Sequence, residues 1–560
     1  MTGAQYIVDS LIKKQVTDAF GIPGGVILPL LYALDERREE IMPHLSYHEQ
    51  CAGFAANGFA QASGKLGVAY ATRGPGFTNL ITAIADAYYD SLPVLFITAH
   101  SAPCPPEGMR VMADQEMDTC SMVRNVTKKA FRLDDLDTFA IDFEELCNIA
   151  LSGRKGPVFL DVSTKILNKE VNTDTEEIRK ETISYNIDIN IIVNALREAK
   201  RPVILAGDGI NQANARELFR SFVQKSQIPV ISSRFSHDLF GDSDLYYGYL
   251  GSHGMRCANF ILSKTDLILS LGNRLHFPLK SETFGEILNH AKIIRCEIDE
   301  GEFNREIPNS INVQADVVSL INEINHVSDL GDHADWKRIC DVLKKELMHT
   351  DINSAVETIS VVLRAIPANC AISNDVGNNE FWVSRACALN HASNRTYYSK
   401  SFGALGCGLG KAIGIYYATK QPVVCFVGDQ GIQMNIQELQ FISQHKLPIL
   451  IVLINNASSG MIKDREKSVY GRYVHTTNGS GYKTPSFDEI SQCYGLKYSN
   501  VNKIKSGIKS NLFYNFPPPM LIEIEIDENL MLTPNLPKES KCENMLPEID
   551  IKLSERLRKL

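Results

Sequence analysis

The chain has 560 residues, 44% hydrophobic and 22% charged, enough for about three domains of ordinary soluble composition. Its net charge of −9 is spread without a basic stripe, which removes electrostatic support for nucleic-acid binding, and its longest apolar runs are far too short to cross a bilayer. The N-terminus runs directly into an amphipathic pattern with no signal peptide in view, and the 13 cysteines, an odd number without a Cys-x-x-Cys pair, fall mostly in apolar runs. The expectation is a cytoplasmic protein with buried reduced thiols, neither disulfide-framed nor zinc-binding.

In chain order, the string Phe20-Gly-Ile-Pro-Gly-Gly25 is followed by Tyr47-His-Glu-Gln50, and then by a helix of small residues from Ala52 to Ala60. Val68–Thr72 reads as a strand, Arg73-Gly-Pro-Gly76 as a turn, Phe77–Asp90 as a helix and Leu92–Thr98 as a second strand. Arg201-Pro-Val-Ile-Leu-Ala-Gly-Asp-Gly209 then reads as a strand entering a glycine turn, and further strands are expected at Pro229–Ser232, Leu267–Leu271 and Ile293–Ile298. The charged, weakly apolar stretches Lys165–Asn186 and His326–Asn353 read as linkers.

Pro422–Val427 is a buried strand ending at Gly428-Asp429, a helical period follows at Ile432, Ile436, Leu439 and Ile442, and Ile449–Ile454 is a second buried strand ending at Asn455-Asn456. Strand, helix, strand makes a right-handed crossover between parallel strands, so Asp429 and Asn456 belong at carboxyl ends of strands in one sheet, where open α/β sheets bind ligands. A carboxylate and an amide carbonyl are hard oxygen donors suited to Mg²⁺. One constant offset carries Val68 onto Val423, Gly76 onto Gly431, Leu92 onto Leu447 and Pro93 onto Pro448, the mark of an internal duplication. The expected fold is α/β: three doubly wound parallel-sheet domains at 1–170, 185–325 and 350–530, then a tail over 531–560.

The spacing of Gly428-Asp429-Gln430 and Asn455-Asn456 resembles the thiamine diphosphate motif, with Gln430 in place of its third glycine. With Tyr47–Gln50, Gly74-Pro-Gly-Phe-Thr-Asn79, Gly251-Ser-His-Gly254 and Asp375-Val-Gly-Asn-Asn379, the chain resembles acetohydroxyacid synthases and related carboligases and decarboxylases. The resemblance implies a pyrimidine-binding, a central and a diphosphate-binding domain. It also implies a 2-oxo acid donor, a carbonyl acceptor, and a homodimer or homotetramer whose active sites lie between subunits. Glu49 matches the glutamate that hydrogen-bonds the aminopyrimidine and favours its imino tautomer, and Gln115 a glutamine near the reacting carbons. Asp429, Asn456 and the Ser458 carbonyl match the Mg²⁺ ligands. Asn378, Asn379 and Gly431 match diphosphate contacts, and Leu405 the residue that bends the cofactor. Gly25, Pro75, Asn79, Ala404, Gly428, Gln430, Gly460 and Met461 complete the implied cofactor contacts.

Departures gather where the substrate belongs. The synthases carry Phe where Asp114 stands, Trp where Arg465 stands, and the second Arg of Arg-Phe-Asp-Asp-Arg where Pro278 stands. A guanidinium pairs with phosphate or carboxylate, so the expected acceptor is larger and more polar than a simple 2-oxo acid, such as a keto sugar. The half-kept segment at Arg274 counts against FAD, the family's flavin. Acetolactate synthase proper, a non-ligating decarboxylase or lyase, and a non-catalytic homologue remain alternatives. The tail from Met531 to Met545 resembles a lid, with a disordered tail as the other reading.

Overall fold

The computed structural model describes residues 1–173, 185, 187–275, 287, 290–501 and 517–560. Three six-stranded, wholly parallel sheets organise them. The first contains β1 (Asp18–Gly21), β2 (Met42–Leu45), β3 (Gly67–Tyr70), β4 (Val94–His100), β5 (Lys129–Leu133) and β6 (Val158–Ser163), in the order β2-β1-β3-β4-β6-β5. The second contains β7 (Pro202–Ala206), β8 (Val230–Ser232), β9 (Tyr246–Tyr249), β10 (Leu267–Leu271), β11 (Lys292–Glu297) and β12 (Ser310–Gln314), in the order β12-β11-β10-β7-β8-β9. The third contains β13 (Ala371–Asn374), β14 (Thr396–Tyr398), β15 (Val423–Gly428), β16 (Ile449–Asn455), β17 (Lys497–Asn500) and β18 (Met520–Glu525), in the order β14-β13-β15-β16-β18-β17. Counted from its own first strand, the third sheet repeats the order of the first, so the offset seen in the sequence is a repeated topology. The second has the order of dinucleotide-binding sheets, which reverses between β7 and β10.

The central strands are apolar throughout because both faces are covered by helices. The helices that shape the site are α1 (Glu49–Ser63), α2 (Pro75–Asp90), α3 (Ala334–Leu347), α4 (Asn378–Leu389), α5 (Gly408–Thr419), α6 (Gly431–Met434), α7 (Glu438–Gln444), α8 (Gly460–Tyr470) and α9 (Ile551–Arg558). The single helix expected after Asp429 is two short ones, α6 and α7, broken where Asn435 leaves helical backbone at φ −134°. The stretch 326–353, expected as a linker, contains α3. Trp336, Cys340, Leu343 and Leu347 form a helical stripe buried against the second sheet, a period that the surrounding charges hide. Lys165–Asn186 lies partly outside the described residues, as does Pro278.

First and third sheets join through α1 and α5. Small residues on both helices make this possible: a Cβ on Gly414 of α5 would lie 1.8 Å from the Ala55 carbonyl oxygen, and one on Gly58 of α1 would lie 2.4 Å from that of Lys411. Lys411 is fully buried at the crossing, its Nζ 3.1 Å from Asp86 and 3.7 Å from Asp90 of α2. The tail is ordered against the second sheet. Leu536 N donates to the Ser252 carbonyl at 2.7 Å, Arg256 donates to the carbonyls of Met545 (2.8 Å) and Pro547 (2.6 Å), and Leu557 of α9 is fully buried. All thirteen cysteines are free.

Candidate active site

The predicted residues form two groups. The first stands at the carboxyl ends of β1, β3 and β4. His48 caps α1 by accepting from Gln50 N at 3.1 Å, which puts Glu49 in the first turn, half-buried. Asn79 Nδ2, one turn into α2, donates to Glu49 Oε2 at 2.9 Å. Pro75 opens α2, and Gly74 before it has φ +62°. A Cβ on Gly74 would lie 2.6 Å from the Gln115 Cβ, so Gln115 is held against this turn. Gln115 itself has φ +60°, a conformation that costs a non-glycine residue energy and often marks a functional position. Asp114 is exposed beside it, and Gly25 starts a short 3₁₀ turn with open space where a side chain would go.

The second group stands at the carboxyl ends of β13, β15 and β16. Asp429 is buried, and its Oδ2 has no hydrogen-bond partner. Burial pushes its carboxyl up to about 7. The Asn456 amide oxygen points at Asp429 Oδ1 (3.2 Å) and at the Ser458 carbonyl (3.1 Å). Three oxygens meeting without a proton between them suit a divalent cation. Without a cation, an amide turned over to donate to both would be preferred. The donors therefore fit Mg²⁺, and two of the three are amide and backbone oxygens rather than ionisable side chains.

Around them, helix starts converge. Gly460 opens α8 so close that a Cβ would lie 2.5 Å from Asn456 Nδ2 and 2.8 Å from Asn378 Nδ2. Asn378 opens α4, donates to Asp464 at 3.2 Å and leaves Oδ1 unpaired. Asn379 donates to Asn374 (3.2 Å) and to the Asp375 carbonyl (2.8 Å), and a Cβ on Gly428 would lie 3.5 Å from its Oδ1. Gln430 precedes α6 and Gly431 opens it against the Asp375 carboxylate, where a Cβ would meet the carboxyl carbon at 3.3 Å. Free amides at such helix starts favour an anion. Ala404 is buried, Leu405 half-buried and Met461 half-buried against the third sheet's core. Arg465 is exposed on α8 and makes no ion pair among the described residues, while Lys463, Asp464 and Glu466 around it are all bonded.

The full length of the chain matches known proteins. Residues 1–122 match the thiamine pyrophosphate enzyme N-terminal TPP binding domain, 189–324 the central domain and 375–524 the C-terminal TPP binding domain of the same family. The chain belongs to the thiamine pyrophosphate enzyme family. It is 31% identical over 563 residues to the acetolactate synthase isozyme 1 large subunit of Escherichia coli, covering 98% of both chains. It is 30% identical over 560 residues to the acetolactate synthase large subunit of Lactococcus lactis, covering 97% of this chain and 96% of that one. It is a thiamine diphosphate-dependent enzyme of the acetolactate synthase-like group.

For a thiamine pyrophosphate enzyme, sequence reasoning gave no role to several groups beside the predicted ones. Asp375 accepts from the amides of Val376 (2.6 Å), Gly406 (2.9 Å) and Gly408 (3.0 Å), fixing the turn that carries Leu405. Burial nevertheless raises its carboxyl to about 6. Tyr482 places a buried hydroxyl against Asp429. Glu438 opens α7 as a fully buried acid between Ile436 and Leu439, and that position in an apolar period was its only signal. Separately, a cavity of about 750 Å³ lies at the reversal between β7 and β10, lined by Gly207, Gly209, Arg234, His253, Arg274 and Glu297 among others. No described helix is long and apolar enough to cross a membrane.

Proposed function

We propose that this enzyme decarboxylates pyruvate or a similar 2-oxo acid and joins the resulting acyl unit to an acceptor carbonyl. The observation that carries the reading is the oxygen triangle of Asp429, Asn456 and Ser458 among three helix starts. Bound thiamine diphosphate would supply the electron sink for decarboxylation and ligation. Asp429, Asn456 and the Ser458 carbonyl would hold Mg²⁺. Asn378, Asn379, Gly428, Gln430, Gly431 and Gly460 would surround the diphosphate, and Ala404, Leu405 and Met461 the thiazolium side. Glu49, oriented by Asn79, would hold and return a proton at the aminopyrimidine, while Gly25, Pro75 and Gln115 border that ring and the reacting carbons.

As the resemblance to acetohydroxyacid synthases implies, one pocket would take its two halves from two copies of the chain, a homodimer or a tetramer of such pairs. Exposed apolar residues flank both halves, Met109, Val111 and Met112 before Gln115 and Ile462, Val469 and Tyr470 on α8. The unpaired Arg465 and the exposed Asp114 favour a polar acceptor such as an anionic keto sugar. The central cavity lies within the about 300–1,000 Å³ usual for ligand sites and is where the family's FAD would sit; the absorbance of the purified protein tests that assignment. For the activity, pyruvate is supplied alone and then with keto-sugar phosphates, and products are read by NMR. A ligated product only with the second acceptor is expected. Efficient acetolactate formation would assign the enzyme to acetolactate synthases proper, and acetaldehyde alone to the decarboxylases.

A further inference from the structure

We propose that Glu438 is the positioning residue for Glu49, fixing the backbone that delivers it to the cofactor; this rests on the reading of Glu49 given above. Glu438 belongs to the third sheet's helices and Glu49 to the first sheet's, far apart in sequence. Yet Glu438 Oε1 accepts from Tyr47 N at 2.8 Å and from His48 N at 3.0 Å, the two amides immediately before Glu49. The Tyr47 hydroxyl donates to Gln444 Oε1 at 2.9 Å, at the far end of α7. On the other side of Glu49, Gln50 Oε1 accepts from Asn435 Nδ2 at 3.0 Å, and the same amide donates to the Gly406 carbonyl at 3.0 Å. One stretch, 435–444, thus grips the chain on both flanks of Glu49, while Asn79 directs the carboxylate itself.

The grip is costly to keep. Glu438 is fully buried, its Oε2 has no hydrogen-bond partner among the described residues, and desolvation raises the carboxyl to about 7 although the Tyr47 and His48 amides pull it down. What Tyr47 N and His48 N require is an acceptor oxygen at this reach, so the length of the side chain matters to the grip and its charge does not. The same stretch begins just after Gly431 and Asp429, so the segment that would bind Mg²⁺ and diphosphate also sets Glu49.

The test uses the holoenzyme and follows proton–deuterium exchange at the thiazolium C2 of the bound cofactor by rapid quench and NMR, alongside cofactor affinity and melting temperature. Glu438→Asp, which withdraws the acceptor by one methylene, is expected to slow exchange by about 10²-fold, the scale of a misplacement near 1 Å. Glu438→Gln, which keeps an acceptor oxygen for Tyr47 and His48, should stay near the wild-type rate with unchanged cofactor affinity. Glu49→Gln should slow exchange at least as much as Glu438→Asp. Wild-type exchange in Glu438→Asp with slow exchange in Glu49→Gln overturns the role of Glu438. Wild-type exchange in Glu49→Gln overturns the reading of Glu49 itself.

Discussion

Asp429 and Arg465 are unsatisfied in opposite ways. Asp429 is a carboxylate taken out of water and left with one bare oxygen, which folding tolerates where a cation compensates. Arg465 is a guanidinium left in water beside Lys463, Asp464 and Glu466, which are all engaged. Replacing Arg465 with Ala should raise KM for an anionic acceptor by about tenfold, the loss of one charge-assisted contact, and leave decarboxylation of pyruvate unchanged. Steady-state kinetics with each substrate varied in turn check this, and an equal effect on both substrates would place Arg465 outside the acceptor site. Asp429 and Asn456 were legible as strand ends because apolar runs stop at them, and Glu49 only through the resemblance that Tyr47–Gln50 carries. Glu438 was not, because its partners are backbone amides, which a sequence does not display as a pattern. Asp375 stood in a quoted motif, but its three amide donors come from turns that only the fold brings together.

At the scale of elements, the site depends on how α1 meets α5. Replacing Gly414 with Ala puts a methyl inside the Ala55 carbonyl and should destabilise by about 1–3 kcal/mol or more, read as a lower melting temperature. An unchanged melting temperature would mean that the two helices can separate freely. Second and third sheets are joined differently, through Asp238. Its carboxylate is buried, accepts from Thr396 N at 3.1 Å and pairs with Arg216 at 3.1 Å and with Arg395. These two arginines hold its carboxyl well below the usual carboxylate range despite burial. The stabilisation of a depressed carboxylate is complete above its unfolded value near 4 and is lost as pH falls towards the folded value. Asp238→Asn should therefore cost about 3–5 kcal/mol at neutral pH and melt with a shallower acid dependence than the wild type. Parallel acid limbs in thermal scans would contradict this. The break between α6 and α7 was not legible, since Ile432, Ile436, Leu439 and Ile442 keep one helical period across it; Asn435 leaves the helix where its side chain bonds Gln50 and Gly406.

For the whole molecule, the sheets were legible because buried parallel strands are short apolar runs with polar ends, and the duplication showed as an offset before it showed as a shared strand order. The ordered tail was not: its docking uses carbonyls of 533–547 read by Arg256 and Arg385, contacts that composition cannot announce. On the proposed reading, the Glu49 and Asp429 groups at the strand ends of the first and third sheets serve one thiamine diphosphate, held through Mg²⁺ by the Asp429 group. Calorimetric titration of cofactor-free protein with thiamine diphosphate, with Mg²⁺ and with a chelator, in the wild type and in Asp429→Ala, tests this most directly. The account predicts saturable binding that requires Mg²⁺ and weakens by at least about tenfold in the variant, the size of one lost charged contact. Equal affinity in chelator, or in Asp429→Ala, would contradict it.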